Sequence, residues 1–143
     1  MNEPLDQEYT KSLWERALEA INIAESARGH PDWAANRAYY AAFHAVSALF
    51  AVEGQYFKKH SGVRSAFHQH LVKTKRLADE LGKEYDQLLE LRGKADYGVT
   101  EHATPEEVVA ALSAARRILQ AVHDAHPDVF PLDTRPGEFD LQP

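Results

Sequence analysis

The sequence predicts an all-α fold, an antiparallel bundle of about five helices with short connections and an extended C-terminal tail. Three observations lead there. Apolar residues recur at three- and four-residue spacing along most of the chain, and no segment alternates as a half-buried strand does. Helix breakers punctuate that pattern at Gly29 and Pro31, Gly54, Gly98 and Pro105. Four of the seven prolines crowd into the last 17 residues and stop helix there.

The first helix is expected over residues 7–28, where Leu13, Ala17, Ala20, Ile21 and Ala24 form a stripe that Trp14 and Leu18 widen. Gly29 ends it. Pro31 and Asp32 open the second helix, residues 32–53. Proline suits the first turn, and the carboxylate suits the positive N-terminal end. Trp33, Ala34, Ala38, Ala41, Ala45, Ala48, Leu49 and Val52 make this helix apolar on nearly every side, so more than one face is expected to be buried and one could meet a second copy of the chain. After a loop over residues 54–60, Ser61 is a good N-cap for a third helix, residues 62–75, with Val63, Phe67 and Leu71 inward. A fourth helix, residues 78–97, turns Leu81, Tyr85, Leu88 and Ala95 inward, with Tyr97 also expected in the core, and Gly98 stops it. Thr104-Pro105-Glu106-Glu107 marks the fifth: Thr104 caps, Pro105 takes the first helical position, and Glu107 reaches back in a capping box. This helix runs to residue 125 on a stripe of Val108, Leu112, Ala115, Leu119 and Val122. The chain thus divides into a helical bundle, residues 1–126, and a Pro-rich tail, residues 127–143, whose Phe130, Leu132 and Phe139 could dock on the bundle or on a partner.

The chain has no cysteine, which removes disulfides and thiolate metal sites and fits a reducing, cytoplasmic setting. Met1 to Asp6 is acidic and has no apolar run behind it, unlike a secretory signal. No apolar stretch approaches the roughly 20 residues that span a bilayer. The net charge of −6 speaks against a generally basic nucleic-acid binder, but its distribution says more. Residues 54–78 contain no acid, only Lys58, Lys59, Arg64, Lys73, Lys75 and Arg76, so this segment carries +6 and leaves −12 for the remainder. A local basic block in an acidic protein can hold an anion without making the whole surface sticky; the plainer reading is a solvated helix face.

Arg37 and His44 are seven residues apart, so they differ by only about 20° around the second helix and by about 10.5 Å along it. Ala41 lies between them and is expected to leave an open slot for a phosphate. Imidazole can take a proton near neutral pH, and guanidinium can neutralise charge on phosphate oxygens. Together they suit attack of an RNA 2′-hydroxyl on its own phosphodiester, a reaction that asks for no metal or cofactor. Arg and His at this spacing also occur as an interfacial or core histidine beside a salt-bridged arginine. Lys59, His60, Ser61 and Gly62 offer backbone N–H groups at a helix start flanked by cations, an anion site in principle. Arg92 and Asp96 are four apart and can pair. His68 and His70 point about 200° apart and make a poor metal pair; His123 and His126 are three apart at the end of the last helix, where imidazolium suits the negative dipole end and a metal contact would be fortuitous.

The segments Asn36-Arg37-Ala38-Tyr39-Tyr40-Ala41-Ala42-Phe43-His44-Ala45, Lys58-Lys59-His60-Ser61-Gly62-Val63 and Leu91-Arg92-Gly93-Lys94-Ala95-Asp96-Tyr97-Gly98, in this order, resemble those of small stand-alone HEPN-domain proteins. The resemblance spans roughly residues 13–122. It implies a helical bundle that dimerises through the helix carrying the arginine and histidine. In active members those two residues, with four to six between them, form a metal-independent RNase site across the dimer; here six lie between, which implies Arg37 and His44 as the catalytic pair. Lys58, Lys59, His60, Ser61 and Arg64 would bind the substrate backbone, and Asn36, Tyr40, Arg92, Asp96 and Tyr97 would support the site. RNase members usually have a polar residue after the arginine, whereas this chain has Ala38. The resemblance further implies a toxin paired with a minimal nucleotidyltransferase, which would bind it or modify a tyrosine near the motif, such as Tyr39 or Tyr40. The alternative is a non-catalytic HEPN module that docks such a partner or binds a nucleotide.

Overall fold

The structure is a computed structural model that describes residues 3–132, with side chains from Gln7 onward. Five α-helices follow one another: α1 (Glu3–Ser26), α2 (Pro31–Val52), α3 (His60–Ala66), α4 (Asp79–Tyr97) and α5 (Pro105–Ala125). The described residues contain no strand. α2 is the central helix and packs against α1, α5, α4 and α3. Eight of its twelve buried side chains are alanines, which lets those neighbours approach closely on several sides. The stripes expected on α1, α4 and α5 point inward as the spacing requires, from Leu13, Ala17, Ile21 and Ala24 to Leu81, Tyr85 and Leu88 and on to Val108, Leu112, Ala115, Leu119 and Val122. The capping box forms too: the Glu107 N–H donates to Thr104 Oγ1 at 3.1 Å, and the Thr104 N–H donates to Glu107 Oε1 at 2.9 Å. Among the described residues, no helix is long and apolar enough to cross a membrane.

The third helix departs from expectation at both ends. It begins at His60, and its cap residue is an extended Lys59 without a side-chain cap bond, so Ser61 lies inside the first turn and does not cap. It then widens into a π-helical stretch, Phe67–Val72. The wider turn keeps Phe67 and Leu71 buried while His68 Nε2 comes within 3.0 Å of Asp86 on α4. Gly82 makes room for this, because a Cβ there would stand 3.1 Å from the His68 ring. Lys75, with φ of 67°, closes the segment in the left-handed conformation.

Two aromatic residues lie where the pattern did not put them. Tyr97 is 73% exposed instead of buried. It follows Leu88 by nine residues, which at about 100° each puts it on the opposite side of α4. Trp33 is 73% exposed as well, because it lies at the N-terminal end of the least buried stripe of α2. At the other end of the chain, Phe130 is fully buried, its ring 5.1 Å from that of Trp14. Trp14 Nε1 donates to the Pro131 carbonyl at 2.8 Å, and His123 Nδ1 donates to the Phe130 carbonyl at 2.7 Å. Leu132 packs, partly buried, against the same core. Phe139 and the remainder of the expected tail lie outside the described residues.

Candidate active site on the second helix

The least buried stripe of α2 consists of Trp33, Asn36, Arg37, Tyr40, Phe43, His44 and Ser47; Trp33 is exposed and the other six are half-buried. Arg37 and His44 share it, as their spacing requires. The slot expected over Ala41 does not exist: Ala41 is fully buried, and Tyr40 fills the space between the two polar groups. The bundle packs on the Ala41 side of α2, which rotates the least buried stripe toward Tyr40. Arg37 Cζ stands 4.9 Å from the Tyr40 ring centroid, and the His44 ring lies 5.9 Å away on the other side.

Arg37 is held as well as stacked. Its Nε donates to Asn36 Oδ1 at 2.9 Å, and Asn36 Nδ2 donates to both oxygens of Asp96 at 3.0 and 3.1 Å. Asp96 in turn lies 3.5 Å from Arg92 Nε, and Arg92 Nη2 donates to the Tyr40 hydroxyl at 3.2 Å. This closes a ring of contacts from α2 to α4 and back. Within it, Asn36 has one amide orientation that satisfies both neighbours. Arg92 also covers the rings of Tyr39 and Tyr40 and approaches Tyr97, at 5.1, 5.5 and 6.0 Å. One Arg37 nitrogen is thereby engaged, while the two terminal nitrogens make no hydrogen bond among the described residues.

His44 sits in a different environment. Its Nδ1 is buried without a hydrogen-bond partner, so any proton exchange with a ligand passes through Nε2. Burial, reinforced by the positive fields of Arg16, Arg37 and His60, pulls its pKa down to about 4. The ring is therefore neutral at physiological pH. Arg16, on α1, escaped the sequence reading; no spacing rule links it to His44, because the docking of α1 on α2 alone brings them together.

His60 joins the same patch. It lies flat on Phe43, with 3.9 Å between ring centroids and 4° between planes, and its Nδ1 is 2.9 Å from the Tyr39 hydroxyl. Burial keeps the Tyr39 phenol protonated, and burial with the nearby Arg92 lowers the His60 pKa. The fold thus gathers Asn36, Arg37, Tyr40, His44, His60, Arg92 and Asp96 into one surface, with Tyr97 at its edge.

The basic block does not act as a unit. Arg64 pairs with Asp86 at 2.8 Å, sharing that carboxylate with His68; Lys75 pairs with Asp79 at 2.8 Å and Arg76 with Glu53 at 2.7 Å. Half of its cations are thus answered by acids from outside it. Lys58 and Lys59, which lead into His60, are exposed and have no ion pair among the described residues, and the same holds for Lys73. Ser61 is exposed beside the first two. His123 and His126 diverge: the first bonds the Phe130 carbonyl, the second Glu53 at 2.9 Å.

The sequence profile of the HEPN domain matches residues 10–125 of this chain. The chain belongs to the HEPN domain family. Relatives of this HEPN protein include a UPF0332 protein of Thermotoga maritima, 43% identical over 89 residues, which cover 62% of this chain and 67% of that one. Another is the Methanocaldococcus jannaschii protein named "Putative toxin MJ0142", 34% identical over 99 residues, covering 68% of this chain and 67% of that one. Among solved structures, TT1696 from Thermus thermophilus superposes with a TM-score of 0.68 over 80% of this chain and 96% of its own, at 22% identity, which is a likeness of fold. Ala38, the departure from the usual HEPN RNase motif, is fully buried in the bundle. It lies about 100° around α2 from Arg37, so its side chain does not border the Arg37–His44 surface.

Proposed function

We propose that this HEPN protein is a metal-independent endoribonuclease that works as a homodimer in the cytoplasm and is the toxin of a toxin–antitoxin pair. The observation that supports this most is the condition of its two candidate groups. A guanidinium clamped by Asn36 and Tyr40, with two terminal nitrogens open, shares a half-buried stripe with an imidazole that burial keeps neutral. A neutral imidazole can accept a proton, and a guanidinium fixed in place can receive charge as it develops.

In the proposed reaction, His44 takes the proton of an RNA 2′-hydroxyl. The freed oxygen attacks the adjacent phosphorus while Arg37 neutralises the non-bridging oxygens of the phosphorane. The bond from phosphorus to the 5′-oxygen breaks, and that oxygen leaves with a proton returned by the imidazolium, either the same one or the second copy's His44. The products are a 2′,3′-cyclic phosphate and a 5′-hydroxyl, with no change of oxidation state. Lys58 and Lys59 would draw in the strand. Ala38 does not weigh against this chemistry, since it faces the core. The toxin name of the Methanocaldococcus jannaschii relative fits a paired system, in which a minimal nucleotidyltransferase would restrain this chain.

The test is a cleavage assay in EDTA on the wild type and on Arg37→Ala and His44→Ala. Cleavage in EDTA that drops about a hundredfold or more in each variant is expected. Undiminished activity in both variants would remove the site, and loss of wild-type cleavage in EDTA would remove the metal-free mechanism. A stable nucleotidyltransferase complex formed by a chain that cleaves no RNA would replace this reading with that of a docking module.

A further inference from the structure

Beside Arg37 the molecule has a cleft of about 470 Å³ that the proposed chemistry does not use. Its walls come from three helices: Ile23 of α1, Asp32, Trp33, Asn36 and Arg37 of α2, and Ala95 and Asp96 of α4. The volume falls within the range of small-molecule sites. Trp33 stands on this cleft as a 73% exposed indole, although α2 is otherwise a helix of buried alanines. We infer that this cleft is a nucleobase subsite, where an unpaired base of the RNA stacks on Trp33 while its phosphate rests on Arg37. The inference builds on the ribonuclease reading and specifies how the strand is oriented at that site.

The chemistry of the lining supports a base rather than a second phosphate. Asp32 and Asp96 place two carboxylates in the walls, and these repel an anion everywhere except beside Arg37. Their positions are fixed. Asp32 accepts the Ala103 N–H at 2.7 Å and the His102 ring nitrogen at 2.7 Å, and Asp96 accepts the Asn36 amide. A carboxylate oxygen keeps a second lone pair after one such bond. The cleft is therefore richer in acceptors than donors, which matches a base edge carrying an amine or imino N–H: guanine first, then adenine and cytosine, with uracil least suited. Trp33 supplies a flat face, and stacking on an aromatic side chain is how unpaired bases are commonly held. Arg37 closes one end of the cleft and belongs also to the stripe with His44, so a nucleotide in the cleft brings its phosphate to the proposed reaction centre.

The molecule carries its own reporter for the test. It has two tryptophans, and Trp14 is 2% exposed, so an added solute can reach only Trp33. Uncleavable mononucleotides, titrated while emission is followed, separate binding from catalysis. Quenching by 3′-GMP is expected, with at least tenfold weaker binding of 3′-UMP and none by inorganic phosphate. By calorimetry, Trp33→Leu should bind 3′-GMP at least tenfold more weakly while keeping its helical circular dichroism and its oligomeric state. Unchanged emission with 3′-GMP, or equal binding by Trp33→Leu, would overturn the subsite. So would a Trp33→Leu variant that binds 3′-GMP normally but falls to monomers, since Trp33 would then be a contact between copies. The two readings fail separately: RNA cleavage without nucleotide quenching removes the subsite alone, and quenching without cleavage removes the nuclease alone.

Discussion

At the scale of single residues, His44 has the clearest consequence. Its pKa is about 4 in the folded protein and 6.5 in the unfolded chain. Between those values the unfolded state binds more protons, so the stability it contributes is complete above pH 6.5 and is lost as pH falls toward about 4. Denaturant titrations between pH 7 and pH 4 should show that loss, and His44→Gln should flatten it. Glu53 acts in a separate window. Its hydrogen bond to Arg76 holds its pKa at about 2, so its contribution is present above the ordinary value of 4.5 and disappears at more acid pH. The same His44 value fixes the catalytic profile. The acid limb of kcat/KM should fall near pH 4, well below the range of a solvent-exposed histidine. An acid limb at pH 6.5 would mean that another group takes the proton.

At the scale of elements, the bundle is closed by parts that are not helix. Phe130 seals the end of the core against Trp14, and Phe130→Ala should destabilise the fold by about 3 kcal/mol in denaturant unfolding, the usual cost of emptying an aromatic core site. Gly98 ends α4 through close contact, not through an unusual backbone. Its φ is −70°, open to any residue, but a Cβ would stand 2.6 Å from the carbonyl oxygens of both Lys94 and Glu101. Gly98→Ala is therefore expected to cost about 1–3 kcal/mol and to loosen the link between α4 and α5. A neutral result would show that the loop after α4 can move aside.

At the scale of the whole molecule, the proposed reaction is assigned to a homodimer. If the arginine of one copy works with the histidine of the other, mixing inactive Arg37→Ala and His44→Ala proteins should restore activity on the order of a quarter of the wild type, because half of the random dimers then hold one intact site. Absence of any recovery in a mixture shown to contain heterodimers would confine the pair to one chain. Charge is distributed on the same scale. With Arg64, Lys75 and Arg76 already paired, Lys58 and Lys59 are the cations left to meet the strand beside His60. Replacing each by alanine should lower the slope of log K against log salt in RNA binding by about 0.7 to 1.

The sequence by itself determined the number and order of the helices, the inward stripes of α1, α4 and α5, the Thr104–Glu107 capping box and the shared angular position of Arg37 and His44, because each depends on spacing along one helix; the ends of α3 and its π-helical continuation were decided by packing against α4. The sequence could not show that Tyr40, not a gap over Ala41, separates that pair, or that Ala38 faces inward, since which stripe of an alanine-rich helix stays least buried depends on where α1, α4 and α5 dock. The pairing of Asn36 with Asp96 and of His60 with Tyr39, the field of Arg16 on His44 and the exposed Trp33 were decided in the same way, by packing. Tertiary structure also divided the basic block, because Glu53, just past the end of α2, and Asp79 and Asp86 on α4 reached half of its cations. Local spacing sets the direction in which a side chain leaves its helix; what it meets there is set by the other helices.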